Sequence, residues 1–194
     1  TGGRSLPRTG SDGAGWAIVQ RLGHTVTPTF PALVPLVLRD GFGHAELSGL
    51  SLDVTLRTWA GGKRVDQRTG SLLWTHFGVS GPVAMDASRH WIAARAGNAQ
   101  PVQTFDAVER QLVEETGRRP RRPVADLLRP WMPARLAGAV CPWAGIDPAT
   151  PLGQLRREDR RTLVHRLTEL DLPVERDRGW NHAEVTAGGV PLSE

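Results

Sequence analysis

The sequence predicts an α+β fold in which a β-barrel or β-meander subdomain is joined to a small helical bundle. Three patterns lead to this fold class. Apolar and polar residues alternate through residues 50–75, apolar residues recur at helical spacing through residues 107–170, and short extended segments return near the carboxyl end. Alternation with period two predicts half-buried strands, whereas spacings of three and four predict helices that pack by one face.

The first segment is a glycine-rich loop that leads into a short helix. The loop ends in Gly10-Ser11-Asp12-Gly13-Ala14-Gly15, and an apolar run from Trp16 to Leu22 follows. Ser11 or Asp12 is expected to cap the helix, because a side-chain oxygen can accept its first free N–H groups. Gly23 is expected to end it. Backbone N–H groups at such a helix start stabilise an anion, although the glycine order differs from the dinucleotide fingerprint G-x-G-x-x-G.

Short strands are predicted next, at residues 25–27 and 33–38, with Pro35 marking either an edge strand or a strand start. Residues 50–59 alternate cleanly between apolar and polar side chains. The Gly61-Gly62 and Thr69-Gly70 pairs are each expected to turn the chain. Short strands joined by tight turns are typical of a small barrel or sandwich.

A helix over about residues 83–95 is predicted after the stretch Thr75–Pro82. Ser80 is expected to cap it, and Pro82 suits its first turn. With His76 nearby, Gly78-x-Ser80-Gly81 resembles a nucleophile elbow, but that motif requires glycine where Pro82 stands. A cap and a turn are therefore the preferred interpretation. A further short strand is predicted at residues 102–105.

Residues 107–170 are predicted to form the helical bundle. Their apolar stripes begin with Val108, Leu112 and Val113, and the last contains Leu163 and Leu167. Such stripes bury against one another in a bundle. His165, on the last helix, is interpreted as a surface or packing residue. Residues 172–174 are expected to rejoin the sheet, and residues 182–190 to form a strand that ends in a double glycine.

Composition limits the function classes. The 194-residue chain has a net charge of +4, but 23 of its 24 basic residues are arginine, which suggests codon bias more than a nucleic-acid surface. The run from Arg118 to Arg122 is interpreted as a solvated linker. The single cysteine, Cys141, excludes an internal disulfide framework, suits a cytoplasmic location and is interpreted as a core residue. The histidines lack metal-ligand spacing, so no metal site is predicted.

Six motifs follow one another along the whole chain: Thr1-Gly2-Gly3-x-Ser5-x-Pro7-x-Thr9-Gly10-Ser11-x-Gly13-x-Gly15, Leu22-Gly23-His24, Pro31-Ala32-Leu33-Val34-Pro35-Leu36, Leu47-x-Gly49-Leu50, Thr75-His76-Phe77-Gly78-Val79-Ser80-Gly81-Pro82 and Ala183-Glu184-Val185-Thr186-Ala187-Gly188-Gly189-Val190. Together, and in this order, they resemble the BaiN-like family of NAD(P)/FAD-dependent oxidoreductases.

The resemblance implies the central fragment of a flavoprotein, without the amino- and carboxyl-terminal FAD-binding segments. Residues 1–31 and 182–194 would be pieces of a discontinuous, Rossmann-like FAD-binding domain. Residues 32–181 would be an insert domain, with residues 32–106 and 171–181 as its β-barrel part and residues 107–170 as its helical bundle. The fragment alone is expected to be inactive and to bind FAD weakly or not at all.

The same resemblance implies the site residues and partners. The cofactor-binding residues would be Thr1, Gly2 and Gly3, which match a turn close to the FAD, and Thr186, Gly188 and Gly189, which match a returning strand and turn near the flavin. In the intact protein, hydride would pass from NAD(P)H through FAD to an unidentified small-molecule substrate. The remainder of the FAD-binding domain would be a partner, and neither a membrane nor a nucleic acid is expected. No catalytic residue is identified.

Two other function classes stay open. A small β-barrel with an arginine-rich helical part suits a nucleic-acid-binding module, whose affinity would fall steeply with salt. A structural insert that mediates self-association is the other alternative, which exposed tryptophans such as Trp143 and Trp180 would favour.

Overall fold

A seven-stranded antiparallel sheet is the centre of this α+β fold. The structure is a computed structural model that describes residues 2–97, 102–106 and 119–193, the second range by its backbone alone. The strands are β1 (Phe30–Ala32), β2 (Leu36–Leu38), β3 (Ser51–Ala60), β4 (Lys63–Thr75), β5 (Gly78–Ser80), β6 (Val102–Asp106), β7 (Leu170–Leu172), β8 (Val174–Asp177) and β9 (Val185–Ala187). In the large sheet they follow the order β7-β6-β3-β4-β5-β2-β8, and β1 pairs with β9 in a separate two-stranded sheet.

The two outermost strands of the large sheet are consecutive in the chain. Only Pro173 separates β7 from β8, yet β7 pairs with β6 and β8 pairs with β2. The Pro173 carbonyl accepts a hydrogen bond from the backbone N–H of Arg39 at 2.9 Å. One bent segment therefore joins both ends of the sheet and gives it a barrel form, and the prediction that residues 172–174 rejoin the sheet is confirmed.

The β3–β4 hairpin supplies much of the barrel core. Gly61 and Gly62, both with positive φ, form its turn as predicted. The predicted turn at Thr69-Gly70 is wrong, because β4 runs without a break from Lys63 to Thr75. A Cβ atom at Gly70 would lie 3.7 Å from the Cβ of Val83, which is an ordinary van der Waals contact.

Five helices are described: α1 (Ala14–Arg21), α2 (Pro82–Ala96), α3 (Val124–Leu128), α4 (Ala134–Trp143) and α5 (Arg157–Thr168). Helix α2 packs on β3 and β4 through a buried face that includes Ala84, Ala87 and Trp91. Pro82 occupies its first turn as predicted, but the predicted Ser80 cap is wrong. Ser80 belongs to β5, and Gly81 is the capping residue, without a side-chain hydrogen bond.

The start of α1 follows the sequence prediction only in part. Gly13 is its N-cap residue and makes no side-chain hydrogen bond, whereas the Oδ1 of Asp12, one residue earlier, accepts the backbone N–H of Ala14 at 2.8 Å. Gly23, at a φ of 94°, directly follows the last residues of the helix.

The segment between α1 and β3 differs from its prediction. Residues 25–27 form no strand, and residues 33–38 are not one strand, since Leu33 adopts a φ of 47°. This left-handed residue redirects the chain from β1, in the small sheet, to β2, in the barrel. Pro35 directly precedes β2, which lies between β5 and β8, so the proline marks a strand start and not an edge.

The helical part follows β6. Its first predicted stripe, at Val108, Leu112 and Val113, lies outside the described residues. Helices α3, α4 and α5 bury apolar side chains against one another and the barrel; Leu127, Leu136 and Leu163 are among the largest fully buried side chains. In the described ranges no helix is long and apolar enough to cross a membrane.

Candidate functional site

The amino-terminal segment and the returning strand meet at the Thr186 hydroxyl. Its Oγ1 accepts the backbone N–H of Arg4 at 2.8 Å and that of Ser5 at 3.3 Å, and it lies 3.0 Å from the Ser5 Oγ. Ser5 is 8 % exposed, so its two contacts with Thr186 are partly buried, whereas the bond from Arg4 is exposed. Two stretches about 180 residues apart in sequence are thus joined by one side chain, and this contact region is called the Thr186 junction below.

Further contacts hold the same two segments together. The backbone N–H of Leu6 donates to the Trp180 carbonyl at 2.9 Å, and the Arg4 guanidinium lies over the Trp180 ring at 5.3 Å from its centroid. Thr27 and Gly189 are joined by three hydrogen bonds of 2.9 to 3.0 Å. These polar contacts hold the carboxyl-terminal segment against the chain on both sides of α1.

Two glycines are required by the close approach of the backbones. A Cβ atom at Gly3 would overlap the Thr186 side chain. Gly188 has a φ of 83°, and a Cβ atom there would overlap the Pro28 carbonyl. Glycine is the one residue that satisfies both the left-handed backbone and the space at Gly188.

Of the six residues expected near a cofactor, Thr1 lies outside the described residues, and the structure gathers the other five at or beside the Thr186 junction. Gly2 has no atom within 4 Å of its Cβ position, nor has Gly189, so both face open space. The Thr186 hydroxyl and the N–H of Gly189 are already engaged in internal hydrogen bonds. These residues therefore leave room for a flat molecule to approach closely, but they provide no free side-chain donor.

An apolar cleft of about 360 Å³ lies beside Gly2. It is lined by Gly2, Gly15, Trp16, Ile18, Val19 and Val190. Helix α1 has no buried residue, and Ile18 and Leu22 are 48 % and 73 % exposed. An exposed apolar surface of this kind marks a contact site for further protein or ligand.

A second cavity, of about 340 Å³, was not predicted from the sequence. It is lined by Arg39, Phe42, Trp143, Arg166, Leu170, Asp171 and Pro173. These residues come from four places: the β2–β3 connection, the end of α4, helix α5, and the β7–β8 segment. No local sequence motif therefore predicts the cavity. It is called the Arg39–Arg166 cavity below.

The candidate nucleophiles are not activated. Burial, with the nearby carboxylate of Asp147 as a smaller cause, raises the pKa of the Cys141 thiol to about 11. Cys141 is fully buried, which confirms its interpretation as a core residue. His165 is exposed, with its Nδ1 3.5 Å from a carboxylate oxygen of Glu169. In the part of the chain that the structure describes, no three His, Cys, Asp or Glu side chains are grouped to hold a metal.

Comparison with known families gives the decisive observation: the model of the HI0933-like protein barrel and H2TH domain matches residues 30–185. The chain belongs to the HI0933-like family. The barrel in the family's description agrees with the closed sheet found here, and the assignment is consistent with the resemblance to BaiN-like oxidoreductases.

Curated relatives of this HI0933-like chain carry two kinds of name. A 3-dehydro-bile acid delta(4,6)-reductase of Clostridium scindens is 25 % identical over 100 % of this chain and 49 % of its own length. Ribosomal RNA dihydrouridine synthases of Escherichia coli and Haemophilus influenzae are each 29 % identical, over 100 % and 98 % of this chain and 48 % and 46 % of their own lengths. The chain thus spans about half the length of the curated relatives it matches.

Proposed function

We propose that this chain is the central part of an FAD-dependent oxidoreductase that reduces an unsaturated ring. The observation that carries the proposal is the Thr186 junction, which gathers glycines from both ends of the chain beside an open apolar cleft. The family assignment and the reductase among the relatives support an oxidoreductase of the flavin type. When bound, the flavin would take hydride from NAD(P)H and pass it to the substrate.

In this proposal the residues of the chain contribute position. Gly2 and Gly189, whose Cβ positions face open space, would let the backbone approach the cofactor closely, and the Thr186 hydroxyl would hold the amino-terminal loop beside the returning turn. The apolar surface of α1 would pack against the remainder of the FAD-binding domain. Residues 1–31 and 182–194 would then belong to that domain, and residues 32–181 would be the insert. A cytoplasmic protein is expected, as inferred from its single cysteine.

The test uses the protein extended in frame at both ends, purified from cells. We expect a flavin absorbance band that co-elutes with the protein and bleaches with NADH or NADPH. Gly2→Val is expected to reduce flavin retention, because its side chain would enter open space and leave the fold intact. Gly138→Val, at a helical position that also has no atom within 4 Å, is the matched control. A colourless extended protein that takes up no added FAD would refute the proposal.

A second candidate substrate class is RNA, which two relatives carry in their names. Arginines are concentrated in two stretches of the helical part, residues 119–122 and 156–161, which contain seven arginines against two carboxylates. Pro120 and Arg122 accept backbone hydrogen bonds from Gly153 and Leu152, so the first stretch lies beside the residues that come just before the second stretch in the chain. Exposed guanidinium groups of this density attract phosphates.

Single-turnover reduction distinguishes the two substrate classes. The reduced, extended protein would be mixed with either ribosomal RNA or an unsaturated steroid, and reoxidation of its flavin would be followed. RNA-dependent reoxidation that weakens steeply with salt would favour RNA. Reoxidation by the steroid alone, with little salt dependence, would favour a small-molecule substrate.

A further inference from the structure

We propose that the Arg39–Arg166 cavity binds a nucleotide, with its phosphate on the two guanidinium groups and its base against the aromatic residues. The cavity is built from elements other than those of the Thr186 junction. The inference therefore adds a second binding site and does not depend on flavin.

The charges of the cavity favour one phosphate group. Arg166 has a buried Nε atom with no hydrogen-bond partner. Because this Nε is closed to solvent, a ligand in the cavity would accept hydrogen bonds from the terminal N–H groups of the Arg166 guanidinium. Arg39 supplies a second guanidinium, and neither arginine forms an ion pair with a described carboxylate. Guanidinium groups match the geometry of phosphate oxygens.

Asp171 limits the ligand further. Its carboxylate lines the same cavity, so two positive charges face one negative charge. A single phosphate suits that balance better than a chain of phosphates would. The carboxylate can also accept a hydrogen bond from a ribose hydroxyl or a base N–H group.

The aromatic residues of the cavity are held rigidly. The rings of Phe42 and Trp143 are stacked, with centroids 4.7 Å apart and planes 10° apart. The indole N–H of Trp143 donates to the Phe42 carbonyl at 2.7 Å, which fixes the orientation of the indole. Aromatic side chains beside arginines are the usual means by which proteins hold a base and its phosphate. A volume of about 340 Å³ is at the small end of ligand sites.

The ligand could be a free nucleoside monophosphate or one nucleotide of an RNA strand. Both present the same base and phosphate to the cavity. The two sources differ in affinity: a strand makes further contacts outside the cavity and has a steeper dependence on salt.

The test is a titration of the chain with uridine 5′-monophosphate, followed by the NMR signal of the Trp143 indole N–H. We expect saturable shifts, and about tenfold to a hundredfold weaker binding in Arg166→Gln and in Arg39→Gln. Arg64→Gln is the control, because Arg64 is an exposed arginine of β4 that lies outside the cavity and outside both arginine-rich stretches. Arg39 is also exposed, so Arg39→Gln keeps the test valid if Arg166→Gln fails to fold.

A hexauridylate that binds more tightly than the mononucleotide, with a steeper salt dependence, would identify RNA as the source. Equal affinity would identify the free nucleotide. The proposal is overturned if neither ligand gives saturable shifts, or if both cavity variants bind as well as Arg64→Gln does.

Discussion

Replacing Gly188 by alanine tests the geometry of the returning turn. Two costs add at this position: a φ of 83° that an L-residue adopts at about 1–2 kcal/mol, and overlap of the new methyl group with the Pro28 carbonyl. Forcing extra volume into a packed site costs about 1–3 kcal/mol. Gly188→Ala should therefore destabilise the turn by about 2–5 kcal/mol.

Gly49 provides a control with the same backbone conformation. Its φ is also 83°, but no atom lies within 4 Å of its Cβ position. Gly49→Ala should show the backbone cost alone, about 1–2 kcal/mol. The difference between the two variants isolates the overlap with Pro28.

Amide hydrogen exchange is the suitable assay, because the small sheet can open without unfolding the barrel. The amides of Thr27 and Gly189, which bond across the turn, report its opening free energy in Gly188→Ala. The amide of Gly49 itself, which donates to the Trp74 carbonyl at 2.9 Å, serves for the control. Equal losses of protection in the two variants would refute the overlap and the backbone path on which it depends.

Three further results are expected. The Cys141 thiol, with a pKa of about 11, should react with a disulfide reagent at pH 8 only after unfolding; rapid reaction of the folded chain would contradict its burial. Burial lowers the pKa of His44 below its usual 6.5, so the unfolded chain binds the proton first as the pH falls. The free energy of unfolding should then decrease below about pH 6.5, by at most about 1.4 kcal/mol per pH unit for this group. In urea titrations, His44→Gln should lack this decrease. A pH profile that is the same in His44→Gln and in the unsubstituted chain would exclude the contribution of His44. Leu56→Ala, in the barrel core, should cost about 2–5 kcal/mol in urea unfolding, whereas Val65→Ala, 48 % exposed in the same hairpin, should change stability by less than about 0.5 kcal/mol; similar losses would contradict the assignment of the two faces.

The barrel was predictable where local pattern and tertiary contact agree. Alternation in residues 50–59 and the Gly61-Gly62 turn specify the β3–β4 hairpin, because each strand buries one face against the core. Gly70 misled the prediction because it lies inside the continuous strand β4, where it pairs with Val54 of β3, and not in a turn. Leu33 misled it as well, since nothing local shows that an apolar residue adopts a left-handed conformation.

The candidate sites, too, were predictable only where a local sequence motif marks them. Sequence motifs pointed to Gly3 and Thr186, but their contact required the folded chain, because the two residues lie at opposite ends of the sequence. The assignment of these residues to a cofactor stays a prediction. The Arg39–Arg166 cavity could not be found in advance, since four separate segments line it and each contributes between one and three residues that form no motif.

The closure of the barrel by β7 and β8 has a consequence for synthesis on the ribosome. β2 is synthesised early, yet its partner strand β8 is synthesised only after the whole helical part. Leu36 can therefore pair with Asp177 only late in translation. Until then the sheet has open edges, which can pair with other chains. Pairing between such distant segments is also slow. A nascent chain should therefore be most prone to aggregate while the helical part is being translated, and a chain stopped before Leu170 should keep that tendency permanently.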